Sequence, residues 1–136
     1  MDVETIQQAS ALHQQSQEIE EKAQFVENQI LELEQFILSL DEIINTKEKS
    51  MISSLGKGVH LKTQLESKDL LVEVGSGVVV KKTPEDTKKV IESQIKKLKE
   101  LKIQLTSQLE ETHQHLQGLI AEIEKSQKEA SKKKTK

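Results

Sequence analysis

Apolar residues recur at alternating steps of four and three along the first third of the chain, and this spacing limits the fold. Ten positions follow it, and only Ser16 is not apolar. They are Leu12, Ser16, Ile19, Ala23, Val26, Ile30, Leu33, Ile37, Leu40 and Ile44. A heptad spacing kept over this length is typical of a helix that packs along one narrow seam against another helix. The pattern predicts a coiled-coil helix over residues 1–48.

A looser version of the same spacing follows Pro84. Its positions are Ile91, Ile95, Leu98, Lys102, Leu105, Leu109, Thr112, Leu116, Leu119 and Ile123. Lys102 is one of two polar exceptions, and its methylenes can lie along the seam while its ammonium reaches water. Thr83 is a good N-cap, and Pro84 suits the first helical position. We predict a second coiled-coil helix over residues 84–130.

The residues that break helices are concentrated between these two segments. Four of the five glycines lie between Gly56 and Gly77, and the only proline is Pro84. Here the apolar residues alternate with polar ones, which is typical of half-buried strands. Two short sequences, Gly-Lys-Gly and Gly-Ser-Gly, favour tight turns. We therefore predict two β-hairpins, over residues 51–65 and 70–82, within an insert at residues 49–83.

These elements predict an α+β, mainly α, architecture. Because a compact insert joins two helices of similar length, we expect the helices to fold back as an antiparallel coiled coil with both termini at its tip. Hydrophobic residues make up only 34% of the chain and aromatic ones 1%, which is too little for an ordinary compact core. The last residues, 131–136, are predicted to be a disordered basic tail.

The hairpins need cover that one chain cannot easily supply. Val78, Val79 and Val80 are apolar on both faces of their strand, and small sheets expose pairing edges. Several copies could close a β-barrel, so we expect oligomerisation through Val59, Leu61, Leu65, Val72, Val74, Val78, Val79 and Val80. Four further apolar residues near the insert pack either under the chain's own hairpins or against another subunit: Leu31, Phe36, Leu38 and Ile43.

The tip is the candidate binding site, because the seam becomes small and polar there. Apolar residues that the partner helix cannot fully cover are Val3, Ile6, Leu12, Leu116, Leu119, Ile120 and Ile123. Exposed apolar groups on a loosely paired end can bind other apolar chains. The alternative is that they are scattered surface residues on a frayed end.

The composition argues against several other functions. All 20 basic residues are lysine, and Tyr and Trp are absent, which argues against specific nucleic-acid binding. Without cysteine there is no thiolate chemistry, and four isolated histidines (His13, His60, His113, His115) indicate solvated surface residues rather than a metal site. The Gly-Ser-Gly sequence lacks the third glycine and the following helix of a nucleotide loop. We expect no enzyme activity, cofactor or membrane span, and no signal peptide, which suits a cytoplasmic protein.

The insert resembles that of prefoldin. Leu55-Gly56-Lys57-Gly58-Val59 is followed by a stretch from Leu71 to Lys82 that is similar to the family's (L/V)VxVGxGxxVxK pattern. Two turn signals favour the archaeal α-type subunit, since β-type subunits have one hairpin. The order of helix, two hairpins and helix matches over nearly the whole chain.

The resemblance implies a co-chaperone subunit in a hexamer of two α and four β subunits, whose hairpins form a double β-barrel platform. It further implies that unfolded polypeptides are captured at the tips without ATP and delivered to a group II chaperonin. The alternative that the residues leave open is a purely structural coiled-coil scaffold without client binding.

Overall fold

The computed structural model describes residues 3–134, and it has the predicted order of elements. Two long helices, α1 (Val3–Asn45) and α2 (Pro84–Lys134), enclose four strands. The strands are β1 (Ser50–Gly56), β2 (Val59–Gln64), β3 (Leu70–Gly75) and β4 (Val78–Lys82). The mainly helical α+β fold with two inserted β-hairpins is therefore confirmed. No helix within residues 3–134 has an apolar stretch long enough to cross a bilayer.

The chain divides into two compact units. The coiled-coil unit contains α1 up to Ile30 and α2 from Leu98 onward, and the hairpin unit contains residues Leu31–Lys97. In the coiled-coil unit, Glu27 pairs with Lys102 and Glu20 lies beside His113, so the two helices run antiparallel. In the hairpin unit, Lys88 of α2 pairs with Asp41 of α1.

The predicted seam is the core of both units. All twenty predicted seam positions are buried or half-buried, and the most buried is Leu40. In α2 the seam extends back beyond its predicted start, because Thr87 and Pro84 are also buried. Each helix thus removes one narrow apolar stripe from water, and most of the remaining helix surface is polar, as the low apolar content requires.

Three polar side chains are buried in the seam, and each bonds to its own helix. The hydroxyls of Ser16, Thr112 and Thr87 donate to backbone carbonyls three or four residues earlier, at 2.7, 2.8 and 2.9 Å. No buried side-chain nitrogen or oxygen among the described residues lacks a hydrogen-bond partner. Lys102 is half-buried, but its ammonium reaches the carboxylate of Glu27 rather than water alone. The opposite charge on α1 explains this difference from the sequence expectation.

The start of α2 is capped as predicted. The Thr83 hydroxyl accepts a hydrogen bond of 3.1 Å from the backbone N–H of Asp86, and Pro84 is the first helical residue.

The ends of both helices differ from the prediction by a few residues. α1 ends at Asn45 rather than 48, and α2 continues to Lys134 because residues 131–134 include no helix breaker. The rest of the predicted basic tail, 135–136, lies outside the described residues.

The insert contains two separate two-stranded antiparallel sheets with the same turn chemistry. Each turn has a non-glycine residue and a glycine in the left-handed region, at φ 52° and 79° for Lys57 and Gly58 and at 50° and 76° for Ser76 and Gly77. Two consecutive residues at positive φ are typical of a type I′ turn, whose twist matches that of hairpin strands. A register shift precedes each turn, next to Gly56 and Gly75.

Truncation of one buried isoleucine tests whether the assigned seam stabilises the fold. Ile30 in α1 is only 3% exposed, whereas Ile103 in α2 is 69% exposed. We expect Ile30→Ala to lower the free energy of unfolding by about 2–4 kcal/mol, because a cavity replaces packed methyl groups. Ile103→Ala should change it by less than about 0.5 kcal/mol. Urea unfolding at one fixed protein concentration measures both, and equal losses would contradict the assigned seam.

The ion pair of the hairpin unit predicts a pH dependence. The Lys88 ammonium donates a hydrogen bond of 2.6 Å to the Asp41 carboxylate, which raises the pKa of Lys88; the charges of Asp41 and Glu92 add to the effect, while desolvation opposes it. Because the folded pKa is raised, the contribution is complete below the unfolded lysine pKa of about 10.4 and is lost as pH rises through the folded pKa.

The difference in stability between the wild type and Lys88→Met should therefore be constant from neutral pH to about 9.5 and shrink above about 10.5. Thermal unfolding across this range measures the difference. Lys89→Met, at an exposed neighbour on the same helix, is the matched control. A difference that grows with alkaline pH would show that the pair does not stabilise the fold.

Candidate interaction surfaces

The predicted tip residues divide between the surface and the seam. Val3, Ile6 and Ile120 are exposed, by 65%, 39% and 44%. The other four occupy seam positions: Leu119 is buried, while Leu12, Leu116 and Ile123 are half-buried. The first three thus offer apolar surface directly, and the other four offer it only where the helices separate.

The seam itself weakens toward the free ends of both helices. Continuing the spacing along α2 leads to Ser126 and Ala130, which are exposed, and along α1 to Ala9 and Thr5, which are half-buried. Small and polar side chains bury little apolar area, so they contribute little to helix pairing. Val3 and Ile6 lie on this weakly paired stretch. We conclude that apolar surface and weak helix pairing occur together in this part of the coiled-coil unit.

The histidines near this region are on the surface. The Nε2 atom of His113 lies 3.9 Å from a carboxylate oxygen of Glu20, and the Nε2 atom of His13 lies 3.3 Å from the amide nitrogen of Gln17. Within the part of the chain that the structure describes, no three His, Asp or Glu side chains are grouped so that they could hold a metal ion.

The hairpins expose apolar side chains on both faces. Of the predicted oligomerisation residues, Leu65 and Val72 are half-buried, and the exposed ones are Val59, Leu61, Val74, Val78, Val79 and Val80. Three larger residues were not among the predicted ones, although they are exposed by about two thirds or more: Ile52, Leu55 and Leu71. The sequence signal for these residues was the second face of each strand. On that face Leu71 lies opposite Lys81, and Ile52 lies opposite Lys62.

Strand edges add to this surface. Each sheet has only two strands, so each strand has one edge that no other strand in residues 3–134 pairs with. A two-stranded hairpin is at best marginally stable in water, and open edges are templates for pairing with other chains. The insert therefore presents both apolar faces and unpaired backbone groups.

The apolar residues of α1 near the insert were expected to pack either under the chain's own hairpins or against another subunit. Leu31, Phe36 and Leu38 are exposed, whereas Ile43 is half-buried. The exposure of the first three is inconsistent with packing beneath the chain's own hairpins. They are apolar side chains that the described residues of the hairpin unit leave uncovered.

A groove that the heptad pattern did not indicate lies along one flank of the coiled-coil unit. Its apolar lining is Phe25, Val26, Leu98, Leu101 and Leu105, and its polar lining is Glu18, Glu21, Lys22 and Gln29. Its volume is about 620 Å³. Phe25 and Leu101 lie outside the seam positions, and both are exposed, by 62% and 41%. An aromatic residue off the seam was the sequence signal for this groove.

Three comparisons relate these features to known proteins. The family model described as prefoldin subunit matches residues 12–132. Prefoldin subunit alpha 2 of Thermococcus kodakarensis is 31% identical over 84 residues, which cover 61% of this chain and 59% of that protein's length.

The fold comparison agrees. A chain from a structure described as filamentous PFD from Methanocaldococcus jannaschii superposes with a TM-score of 0.71 at 22% identity. The superposition covers 85% of this chain and 98% of that chain. Because the family model spans most of both helices and the whole insert, this chain belongs to the prefoldin family, as the α-type resemblance of its insert predicted.

Proposed function

We propose that the chain is a subunit of a cytoplasmic co-chaperone that holds unfolded polypeptides at the ends of its coiled coil. Membership of a chaperone family supports the general class, and the observation that supports the site is the exposure of Val3, Ile6 and Ile120, the first two of which lie on a weakly paired stretch. The subunit would capture clients without ATP, pass them to a group II chaperonin, and catalyse no reaction.

Physical chemistry gives this site a mechanism. Burying an exposed aliphatic side chain against a client contributes at most about 1.5–3 kcal/mol, so a single tip binds weakly and releases readily. Several tips in one assembly raise the apparent affinity through effective concentration, without any new contact. Such binding selects clients by exposed apolar surface rather than by sequence.

The Gly-rich turn of the second hairpin supports the proposed independence from ATP. The Gly-rich sequence that begins like a nucleotide loop forms the turn between β3 and β4, with Ser76 and Gly77 at positive φ. A phosphate loop instead leads into a helix whose N-terminus faces the phosphates. The turn is therefore used to pair two strands.

We further propose that the hairpin unit assembles with β-type subunits into a hexamer of two α and four β subunits. The unpaired strand edges and the exposed valines of β2 and β4 support a shared β-barrel platform. The exposed residues Leu31, Phe36 and Leu38 would then contact neighbouring subunits.

A structural scaffold without client binding is the second candidate. The observation in its favour is that Leu12, Leu116, Leu119 and Ile123 lie in the seam, where they hold the helices together. Under this alternative the three exposed tip residues would have no role, and only the assembly surface would matter.

Substitution of the exposed tip residues separates the two candidates. In the triple variant Val3→Gln, Ile6→Gln and Ile120→Gln, we expect unchanged assembly but roughly tenfold more protein to be needed to suppress aggregation of a denatured client. Light scattering measures the suppression, and native mass spectrometry measures assembly. Ile103→Gln, at an isoleucine of α2 that is 69% exposed, is the control. Full protection by the triple variant would favour the scaffold.

A charge on the second hairpin should prevent assembly. Val80 in β4 is exposed and lies opposite Val72, which carries no charge. Val80→Lys adds an ammonium that would have to be buried in a platform, so we expect the native mass to fall to that of small species while the circular dichroism of the helices is retained. Ser76→Asn, in the adjacent turn, keeps a residue that tolerates positive φ and should assemble normally. Normal assembly of Val80→Lys would exclude this surface as the interface.

A further inference from the structure

The groove on the flank of the coiled-coil unit has two walls of different chemistry. The α2 wall consists of three leucines, Leu98, Leu101 and Leu105. The α1 wall combines Phe25 with two carboxylates, Glu18 and Glu21. All the lining residues belong to one compact unit, so the groove does not depend on how the hairpin unit is placed.

The floor of this open groove is mostly apolar. Phe25 is 62% exposed and is one of only two aromatic residues in the chain. Aromatic side chains bury much area at low entropic cost, so an exposed one beside a leucine wall is an effective anchor.

The charge of the α1 wall indicates what the groove would hold. The groove lining carries two carboxylates, Glu18 and Glu21, and one lysine, Lys22. Glu18 and Glu21 are both exposed, whereas the α2 wall has no charged residue. A ligand that lies along the groove therefore meets a net negative edge on one side and an apolar edge on the other.

We propose that this groove is a second binding site for non-native polypeptides, specific for segments that carry apolar side chains on one side and Lys or Arg on the other. The proposal rests on the proposed holding function, because it assigns the same class of ligand to a different surface. It differs from the tip site in that charge contributes to selection, since the three exposed tip residues are uncharged.

Photocrosslinking from position 25 tests the proposal in the full chain. Phe25 is replaced by the photoreactive benzoylphenylalanine, and two peptides are compared: one alternates Leu with Lys, the other Leu with Glu. We expect the basic peptide to crosslink about fivefold more, as two exposed charge pairs would give. The double variant Glu18→Gln and Glu21→Gln should remove this preference. The same photoreactive group at Ile103, which is outside the groove, should show little crosslinking to either peptide.

Equal crosslinking of the two peptides, no crosslinking, or crosslinking only to another subunit would overturn the proposal. The triple tip variant distinguishes failure of the groove site from failure of the tip site. If the triple tip variant protects clients fully while position 25 still captures the basic peptide, the tip site is wrong and the groove stands. If the tip variant loses protection and position 25 captures neither peptide, the groove is wrong and the tip site stands.

Discussion

Burial of one narrow seam on each helix is the interaction on which the rest of the structure depends. Residues such as Ile19, Ile30, Leu40 and Leu105 remove a stripe of apolar surface from water, and nothing else in the described chain forms a larger core. Because the stripe is narrow, most of each helix surface remains available. Apolar side chains outside the stripe are consequently exposed unless another chain covers them.

This constraint explains why the exposed apolar residues fall into separate groups. The hairpin unit contains one group, which includes Phe36 and Leu38 of α1 and the exposed apolar residues of the strands, whose unpaired edges add backbone hydrogen-bonding groups. Toward the free helix ends, Val3 and Ile6 accompany a seam that becomes small and polar. The first group suits permanent burial between subunits, and the second suits weak, reversible contact, because the helices there are loosely paired.

The sequence predicted the fold well because its signals were local and periodic. The spacing of four and three identified the seam from Leu12 to Ile44 and from Ile91 to Ile123, although not its extension to Thr87 and Pro84, and the glycines next to Lys57 and Ser76 identified both turns. The candidate sites were less predictable, since heptad position alone does not give the exposure of a side chain. Leu119 fits the tip by position but is buried in the seam, whereas Phe25 and Leu101 form a groove only once the two helices are paired. The partner of Lys102 likewise depends on the register of α1 against α2.

Hydrogen exchange on the assembled protein, with and without a denatured client, tests the central claim most directly. We expect client binding to slow exchange of backbone amides in the segments around residues 3–12 and 116–123, which contain the proposed tip residues, and to leave the strands unchanged. Slower exchange confined to the strands, or no change in either terminal segment, would contradict the assignment of client binding to the ends of the coiled coil.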